Sequence, residues 1–191
     1  ENKSMFAGLE GKKQIDENEY QKSIDNQQDI MNLVNRILQS QKIFEEKEAA
    51  VLRCSEEIES LKPWLTLDVP MNYQGTKKTG FLIGSISGTY TQEELTARIE
   101  QIEDMPESVY VQVIDADKYQ SYVTVVFLKG EQEQVEKALR ELSFNRPPII
   151  TSHIPSVSAK KREDAIVSIQ KEIEDIKQEF KKCADRREEI Q

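Results

Sequence analysis

The chain contains few cysteines and almost no histidine. Its 191 residues include two cysteines and a single histidine, His153. So few thiols cannot form a disulfide scaffold, and zinc centres and histidine-based catalysis need more ligands and bases than these. No apolar run approaches the roughly 18 residues of a membrane-spanning helix, and no charged-then-apolar signal segment opens the chain. The sequence therefore predicts a soluble protein without a metal centre.

Positive charge is also scarce. Lysine and arginine number 26 against 35 aspartates and glutamates, which gives a net charge of −9. Phosphate backbones and anionic membranes attract basic surfaces, so this balance opposes tight binding to either. Charged residues make up 32% of the chain and aromatic residues 7%, a composition typical of long amphipathic helices rather than of a thick core.

Helix breakers are missing from both flanks. All six prolines lie between Pro63 and Pro155, and five of the seven glycines lie between Gly75 and Gly130. Long unbroken flanks around a repeatedly broken middle indicate helix, globule, helix. We therefore expect a mobile leader at 1–16, a first coiled-coil helix at 17–62, an α/β lobe at 63–155 and a returning coiled-coil helix at 156–191.

Apolar residues recur every seven positions in the first flank, and in steps of three and four in the second. This period is typical of a coiled-coil seam. Since one lobe joins the end of the first helix to the start of the second, the two helices are expected to pair antiparallel. The predicted seam consists of Ile30, Ile37, Phe44, Val51 and Ile58 in the first helix and Ile166, Ile169, Ile173, Ile176 and Phe180 in the second.

The pairing has two further consequences. The apolar stripe of the first helix is wider than one seam, so the surface near Met31, Val34 and Leu38 is expected to stay uncovered or to be buried by self-association. An antiparallel register that pairs residues whose numbers add to roughly 218 puts Cys54 and Cys183 about 28 Å apart along the helices. Both thiols are therefore expected to stay reduced.

The middle of the chain alternates between strand and helix patterns. Thr91 and Glu94 have the spacing of a capping box, and Pro106 ends the helix that follows. Strands are expected at 80–88, 109–113, 122–128 and 149–150, with helices near 92–105 and 135–142. The order βαββαβ is that of the ferredoxin-like sandwich. The predicted fold is therefore α+β: a long antiparallel two-helix coiled-coil hairpin with a ferredoxin-like lobe at its tip.

The glycine-rich stretches do not predict a phosphate site. Gly80, Gly84 and Gly88 are not followed by Gly-Lys-Ser/Thr, and Gly11 with its two lysines lacks the preceding strand of a P-loop. The three glycines are better explained as strand positions that permit twist or close packing.

Three other groups also have structural explanations. Asp115 and Asp117 resemble a carboxylate pair, but a solvated hairpin turn favours aspartate for local hydrogen bonding. His153 has no nearby ligand partner and is expected at the surface or at a junction. Trp64 is either a binding anchor or a wedge that packs the lobe onto the helix end, and we favour the wedge. No catalytic, cofactor-binding or metal-binding residue is predicted.

The junction after the first helix contains a distinctive sequence. It reads LKPWLTLDVP at 61–70 and TGFLIG at 79–84. With the order helix, lobe, returning helix from about Tyr20 onward, it resembles the cytoplasmic N-terminal region of the large membrane subunit of rotary V-type and archaeal-type ATPases, known as subunit I, subunit a or the 116 kDa subunit. The proximal lobe and the membrane half of that family have no counterpart here. Trp64, Leu67 and Asp68 are the corresponding lobe-junction residues.

This resemblance implies a non-catalytic stator arm on the cytoplasmic side of the cell membrane. In that family the region links the ion-translocating membrane subunit to the peripheral stalk during proton or sodium transport. The implied partners are peripheral-stalk subunits of the E/G type at the distal lobe, with the central-shaft cap subunit as a further partner. For the isolated region, a homodimer is the alternative assembly.

Two other functional classes remain open. The lobe resembles small-molecule-binding regulatory domains of ferredoxin-like fold, whose helices would then be dimerisation arms. A chromosome-organising or chaperone coiled coil has the same plan. The lobe, however, has 8 basic and 13 acidic residues between Trp64 and Ser152, which opposes the nucleic-acid version.

Overall fold

The computed structural model describes residues 17–188, so the predicted leader at 1–16 lies outside the described residues. These residues divide into two units. The arm unit comprises the described residues up to Glu46 together with those from Ile173 onward, and the lobe unit comprises Lys47–Glu172. Helix α1 is Glu17–Leu61 and the last helix, α4, is Pro155–Glu188, so each helix contributes residues to both units.

In the arm unit, the α1 and α4 segments run antiparallel. The Arg36 guanidinium lies 2.9 Å from the Glu179 carboxylate, and the Lys177 ammonium lies 5.7 Å from the centre of the Phe44 ring. Higher numbers in α1 thus meet lower numbers in α4. Among the described side chains of this unit, only Ile173 is buried, with 9% of its surface exposed.

The lobe unit has the same antiparallel arrangement where its helical segments meet. Lys47 pairs with Glu172 at 2.5 Å, and Arg162 pairs with Glu57. The residue numbers of each pair add to 219, one more than the register that the sequence predicted. Cross-helix ion pairs therefore confirm the antiparallel pairing within this unit.

The lobe contains a three-stranded antiparallel sheet in the order β1-β3-β2. Its strands are β1 at Thr79–Ser87, β2 at Tyr110–Ala116 and β3 at Gln120–Leu128. Two helices accompany the sheet, α2 at Gln92–Ile99 and α3 at Gln132–Glu141. The hairpin between β2 and β3 has a bulge between Val113 and Asp115.

The predicted fourth strand is wrong. Within the described residues, Ile149 and Ile150 belong to no strand, and the only pairing of this segment with the sheet is an isolated bridge from Asn145 to Ser85. Pro147 and Pro148 lie two and three residues after the bridging Asn145, and proline has no N–H to donate to a ladder. The lobe is therefore α+β with one strand fewer than the ferredoxin-like order requires.

Strand alternation divides the apolar residues of the lobe between two cores. The helix-side core packs α2 and α3 against one face of the sheet and includes Ile86, Leu95, Val123, Val125, Phe127, Val135 and Leu139. The junction core covers the opposite face and contains Leu61, Trp64, Leu67, Met71, Ile83 and Ala159. Successive strand residues point to opposite faces, so Ile83 and Ile86 in β1 belong to different cores.

Two local predictions are confirmed. The Thr91 hydroxyl accepts a hydrogen bond from the Glu94 N–H at 3.2 Å, and the Glu94 carboxylate accepts one from the Thr91 N–H at 2.8 Å, which completes the capping box of α2. Gly84 allows close packing, since a methyl group added there would lie 2.2 Å from the Phe144 ring.

In the part of the chain that the structure describes, none of the helices has both the length and the apolar composition of a membrane span.

Candidate functional site

The lobe junction is where α1 ends and the chain enters the sheet. A short 3₁₀ helix at Lys62–Trp64 follows α1, with Pro63 in its first turn. Trp64 is 2% exposed and makes an edge-to-face contact with Tyr122 of β3, with ring centres 5.3 Å apart. Such aromatic pairs stabilise a core beyond the area they bury. In this position Trp64 packs the junction and does not present a surface anchor.

The other junction residues occupy different environments. Leu67 is buried in the junction core, whereas Asp68 is exposed. Asp68 lies on the rim of a cavity of about 470 Å³ that also borders Gln112 and Thr124 on the junction face of the sheet. Trp64 and Leu67 thus share one core, and the Asp68 carboxylate lies at the surface beside it.

The predicted seam residues are buried to different extents. Ile173 is buried, and Ile30 is exposed. The others are half-buried: Ile37, Phe44, Val51, Ile58, Ile166, Ile169, Ile176 and Phe180.

A second apolar stripe on α1 remains uncovered in the single chain. Met31, Val34 and Leu38 are exposed, as the sequence predicted, and Ile24 is exposed as well. Ile24 was not predicted to be exposed, although it precedes Met31 and Leu38 at the same seven-residue spacing. That spacing is the signal of a further helix-packing face.

Asp117 organises the turn of the β2–β3 hairpin, whereas Asp115, which the sequence also predicted in the turn, lies within β2 opposite Tyr122. Asp117 accepts hydrogen bonds from the N–H groups of Tyr119 at 2.7 Å and Gln120 at 2.9 Å, and from the Tyr122 hydroxyl at 2.8 Å. The bond from Tyr119, followed by that from Tyr122, lowers the pKa of this carboxylate. Burial, together with the bond to Asp117, raises the pKa of Tyr122. Asp115 accepts from the N–H of Ala116 at 2.8 Å, so both carboxylates serve the local backbone.

His153 and the cysteines offer no chemical site. The Nδ1 of His153 lies 3.2 Å from the Ser152 hydroxyl, and its Nε2 lies 3.1 Å from the Lys161 ammonium. Within residues 17–188, no cluster of three or more histidine, cysteine or acidic residues is arranged to hold a metal ion. Cys54 and Cys183 are both free thiols and half-buried.

The lobe also contains a groove that the sequence did not predict. A groove of about 510 Å³ lies along β1 and is lined by Tyr73, Phe81, Lys129, Arg146 and Ile150, among others. Its residues come from four separate segments, so no local sequence pattern marks it. The edge of β1 forms part of its wall.

Comparison with known proteins shows a distant likeness to a solved structure. No family model and no curated protein matches the chain. Among solved structures, the chain is similar to the crystal structure of the cytoplasmic N-terminal domain of subunit I, homolog of subunit a, of V-ATPase, with 12% identity and a TM-score of 0.45. The match covers 83% of this chain and 51% of that one. The chain thus spans about half the length of that domain, and so remote a likeness establishes no function.

Proposed function

We propose that this chain is a non-catalytic stator arm of a rotary V-type ATPase or ATP synthase. It would connect the ion-translocating membrane subunit to the peripheral stalk during proton or sodium transport. The proposal places the chain on the cytoplasmic side of the membrane. The resemblance of residues 61–70 and 79–84 to subunit I supports this role.

The observation that carries the proposal is the convergence of two long helices on one lobe core. Leu61, at the end of α1, is fully buried, and Ala159, in the first turns of α4, is 6% exposed. Both pack in the junction core with Trp64. A load that arrives along either helix therefore reaches the same packed side chains, which suits an arm that must resist torque.

The ion pairs between the helices support the same role. Lys47 with Glu172 and Arg162 with Glu57 fix the register of α1 against α4 in the lobe unit. Both pairs are partly exposed, and a solvent-exposed pair contributes only about 0–1 kcal/mol, so they specify alignment more than they add stability. A stator arm needs this alignment, because sliding of one helix along the other would absorb the load.

The proposed partners are stalk subunits of the E/G type, which would bind the lobe, and the central-shaft cap subunit as a further contact. We expect each single contact to be weak, since an assembled motor gains its strength from several contacts acting together. When such neighbours are absent, we expect a second copy of the chain to bury Ile24, Met31 and Leu38.

Titration of the chain with a purified E/G-type stalk pair tests the proposal. We expect saturable binding in the micromolar range by isothermal titration calorimetry. The variants Lys118→Glu on the lobe and Leu38→Glu on the arm then distinguish lobe from arm contacts, because both residues are exposed. No binding at high micromolar concentration, with both partners shown to be folded, would contradict the stator role.

Self-association is measured separately by sedimentation velocity. We expect a concentration-dependent dimer that Leu38→Glu shifts toward monomer, since the charge would be buried without a partner in a helix interface. Gln39→Glu is the control in the same helix, because it adds the same charge at an exposed position outside the seven-residue repeat of Ile24, Met31 and Leu38. Equal effects of both substitutions would contradict an interface at the exposed stripe.

A further inference from the structure

The two edges of the lobe sheet differ in how fully their outward backbone N–H and C=O groups are hydrogen-bonded. At the β2 edge, the side-chain amide of Gln92 donates to the Val111 carbonyl at 2.7 Å and accepts from the Val113 N–H at 2.8 Å. One side chain thereby occupies the outward backbone groups of two alternate residues. An exposed edge strand is a template for pairing with another chain, and Gln92 closes this one.

The β1 edge is closed only at its two ends. Ser85 exchanges two hydrogen bonds with Asn145, at 2.8 and 2.9 Å, and the Thr79 carbonyl accepts from the Thr76 N–H at 3.0 Å. Both residues therefore direct their peptide groups away from β3. In an antiparallel ladder, alternate residues share this direction, so the peptide groups of Phe81 and Ile83 also point outward.

These middle positions have no hydrogen-bond partner in the part of the chain that the structure describes. None of its hydrogen bonds closes the outward N–H or C=O of Phe81 or Ile83. The segments on either side leave β1 after one bridge each, Gly75 to Gly80 and Asn145 to Ser85. The result is a gap of about three residues, roughly 10 Å long at 3.3 Å per residue.

The groove described above opens onto this gap, and its charge differs from that of the chain. None of the residues that line it is acidic, although the protein has 35 acidic residues and a net charge of −9. Lys129 follows the residue paired with Thr79, and Arg146 follows the residue bridged to Ser85, so the two cations bracket the gap. Within residues 17–188, Lys129 makes no ion pair, and Arg146 makes a single exposed one, 3.4 Å from Glu136.

We propose that the β1 edge binds a short extended peptide with acidic residues at both ends, contributed by a partner protein. Its backbone would add to β1 at Phe81 and Ile83, its apolar side chains would contact Tyr73 and Phe81, and its carboxylates would meet Lys129 and Arg146. Strand addition of this kind derives affinity from backbone hydrogen bonds and specificity from the flanking side chains. This inference does not depend on the stator role, since it rests on the lobe alone.

Titration of the ¹⁵N-labelled full chain with a defined peptide tests this site. The probe is a capped pentapeptide with a glutamate at each end and Val-Thr-Val between them, because the gap holds about three residues. The control peptide has lysines in place of the glutamates. We expect the probe to shift the amide resonances of Phe81 and Ile83, and the lysine peptide to leave them unchanged.

Charge reversal in the protein is the second test. We expect the double variant Lys129→Glu, Arg146→Glu to bind the probe about tenfold more weakly, since two favourable contacts become repulsive. The control variant Lys118→Glu, Lys171→Glu carries the same change in net charge at exposed positions outside the groove and should bind like the wild type. Equal weakening of both variants would overturn the proposal, as it would show a non-specific charge effect.

Two further results would also overturn it. Equal binding of the lysine peptide and the glutamate peptide would show that the site does not select acidic residues. Shifts of the Phe81 and Ile83 resonances on dilution of the protein alone would show that a second copy of the chain occupies the edge. The site is supported if the probe shifts only resonances of the β1 edge, and if only the Lys129→Glu, Arg146→Glu variant binds the probe more weakly.

Discussion

The arm unit and the lobe unit contain segments of the same two helices, yet different interactions hold each of them. In the lobe unit, Leu61, Val123 and Val125 have no exposed surface. In the arm unit, the described side chains include one buried residue, Ile173, together with exposed ion pairs such as Arg36 with Glu179. A seven-residue repeat thus identifies which helices pair, but it does not reveal where burial concentrates.

The difference has energetic consequences. Full burial of a large aliphatic side chain contributes about 1.5–3 kcal/mol, whereas an exposed ion pair contributes about 0–1 kcal/mol. We therefore expect the lobe unit to unfold last and the arm unit to exchange its amide protons first. Substitutions of the same type in the two units test this comparison directly.

The largest effect is expected for Leu61→Ala. Removal of this fully buried side chain should lower the free energy of unfolding by about 2–5 kcal/mol, measured by urea denaturation. Leu38→Ala is the matched control in the arm unit, where the leucine is 58% exposed, and it should change stability by no more than about 0.5 kcal/mol. Similar losses for both variants would mean that the arm is buried as fully as the lobe.

The next effect concerns the β2 edge. Gln92→Ala should cost about 1–2 kcal/mol, because it removes the partners of the Val111 carbonyl and the Val113 N–H. It should also speed hydrogen exchange at the Val113 amide. Gln134→Ala in α3 is the control, since Gln134 is exposed. Unchanged exchange at Val113 would show that Gln92 does not protect this edge.

A smaller effect is expected in the arm unit. Arg36→Ala should reduce stability by at most about 1 kcal/mol, and high salt should reduce the difference by screening the wild-type pair. A double-mutant cycle with Glu179→Ala measures the coupling between the two side chains. Coupling of several kcal/mol would contradict the view that the arm is held weakly.

The smallest effect is the pH dependence that Asp117 introduces. Because hydrogen bonds lower its pKa in the folded state, ionised Asp117 stabilises the fold above its unfolded pKa, and this contribution is lost as pH falls through the lower, folded value. Asp117→Asn should therefore flatten the acid limb of thermal stability measured against pH, with Asp115→Asn as the control. An unchanged acid limb in Asp117→Asn would contradict this role of the turn.

Local sequence signals predicted the elements that depend on near neighbours. The Thr91 and Glu94 capping box formed where its residues indicated. The helix that it starts, however, ends at Ile99 and not at Pro106, and the β2–β3 turn lies at 117–119, so that Asp115 belongs to β2. The register of the helices also followed from the sequence, because one lobe connects them and fixes which residues can meet. Trp64 took up the wedge position rather than that of a surface anchor.

The errors arose where distant segments decide the outcome. Ile149 and Ile150 have the composition of a strand, but Pro147 and Pro148 prevent the donation that a ladder requires. Gln92 resembles an ordinary first-turn helix residue, and only the placement of α2 beside β2 gives its amide a role. The β1 groove likewise depends on segments that the sheet brings together.

The contact between Gly84 and Phe144 has a consequence for evolution. A methyl group at Gly84 would lie 2.2 Å from the phenyl ring and 2.5 Å from the backbone oxygen of Asn145. A smaller residue at 144 would relieve only the first of these two contacts. Homologous sequences should therefore keep glycine at 84 even where residue 144 varies, and in a library that randomises both positions we expect the folded members to do the same.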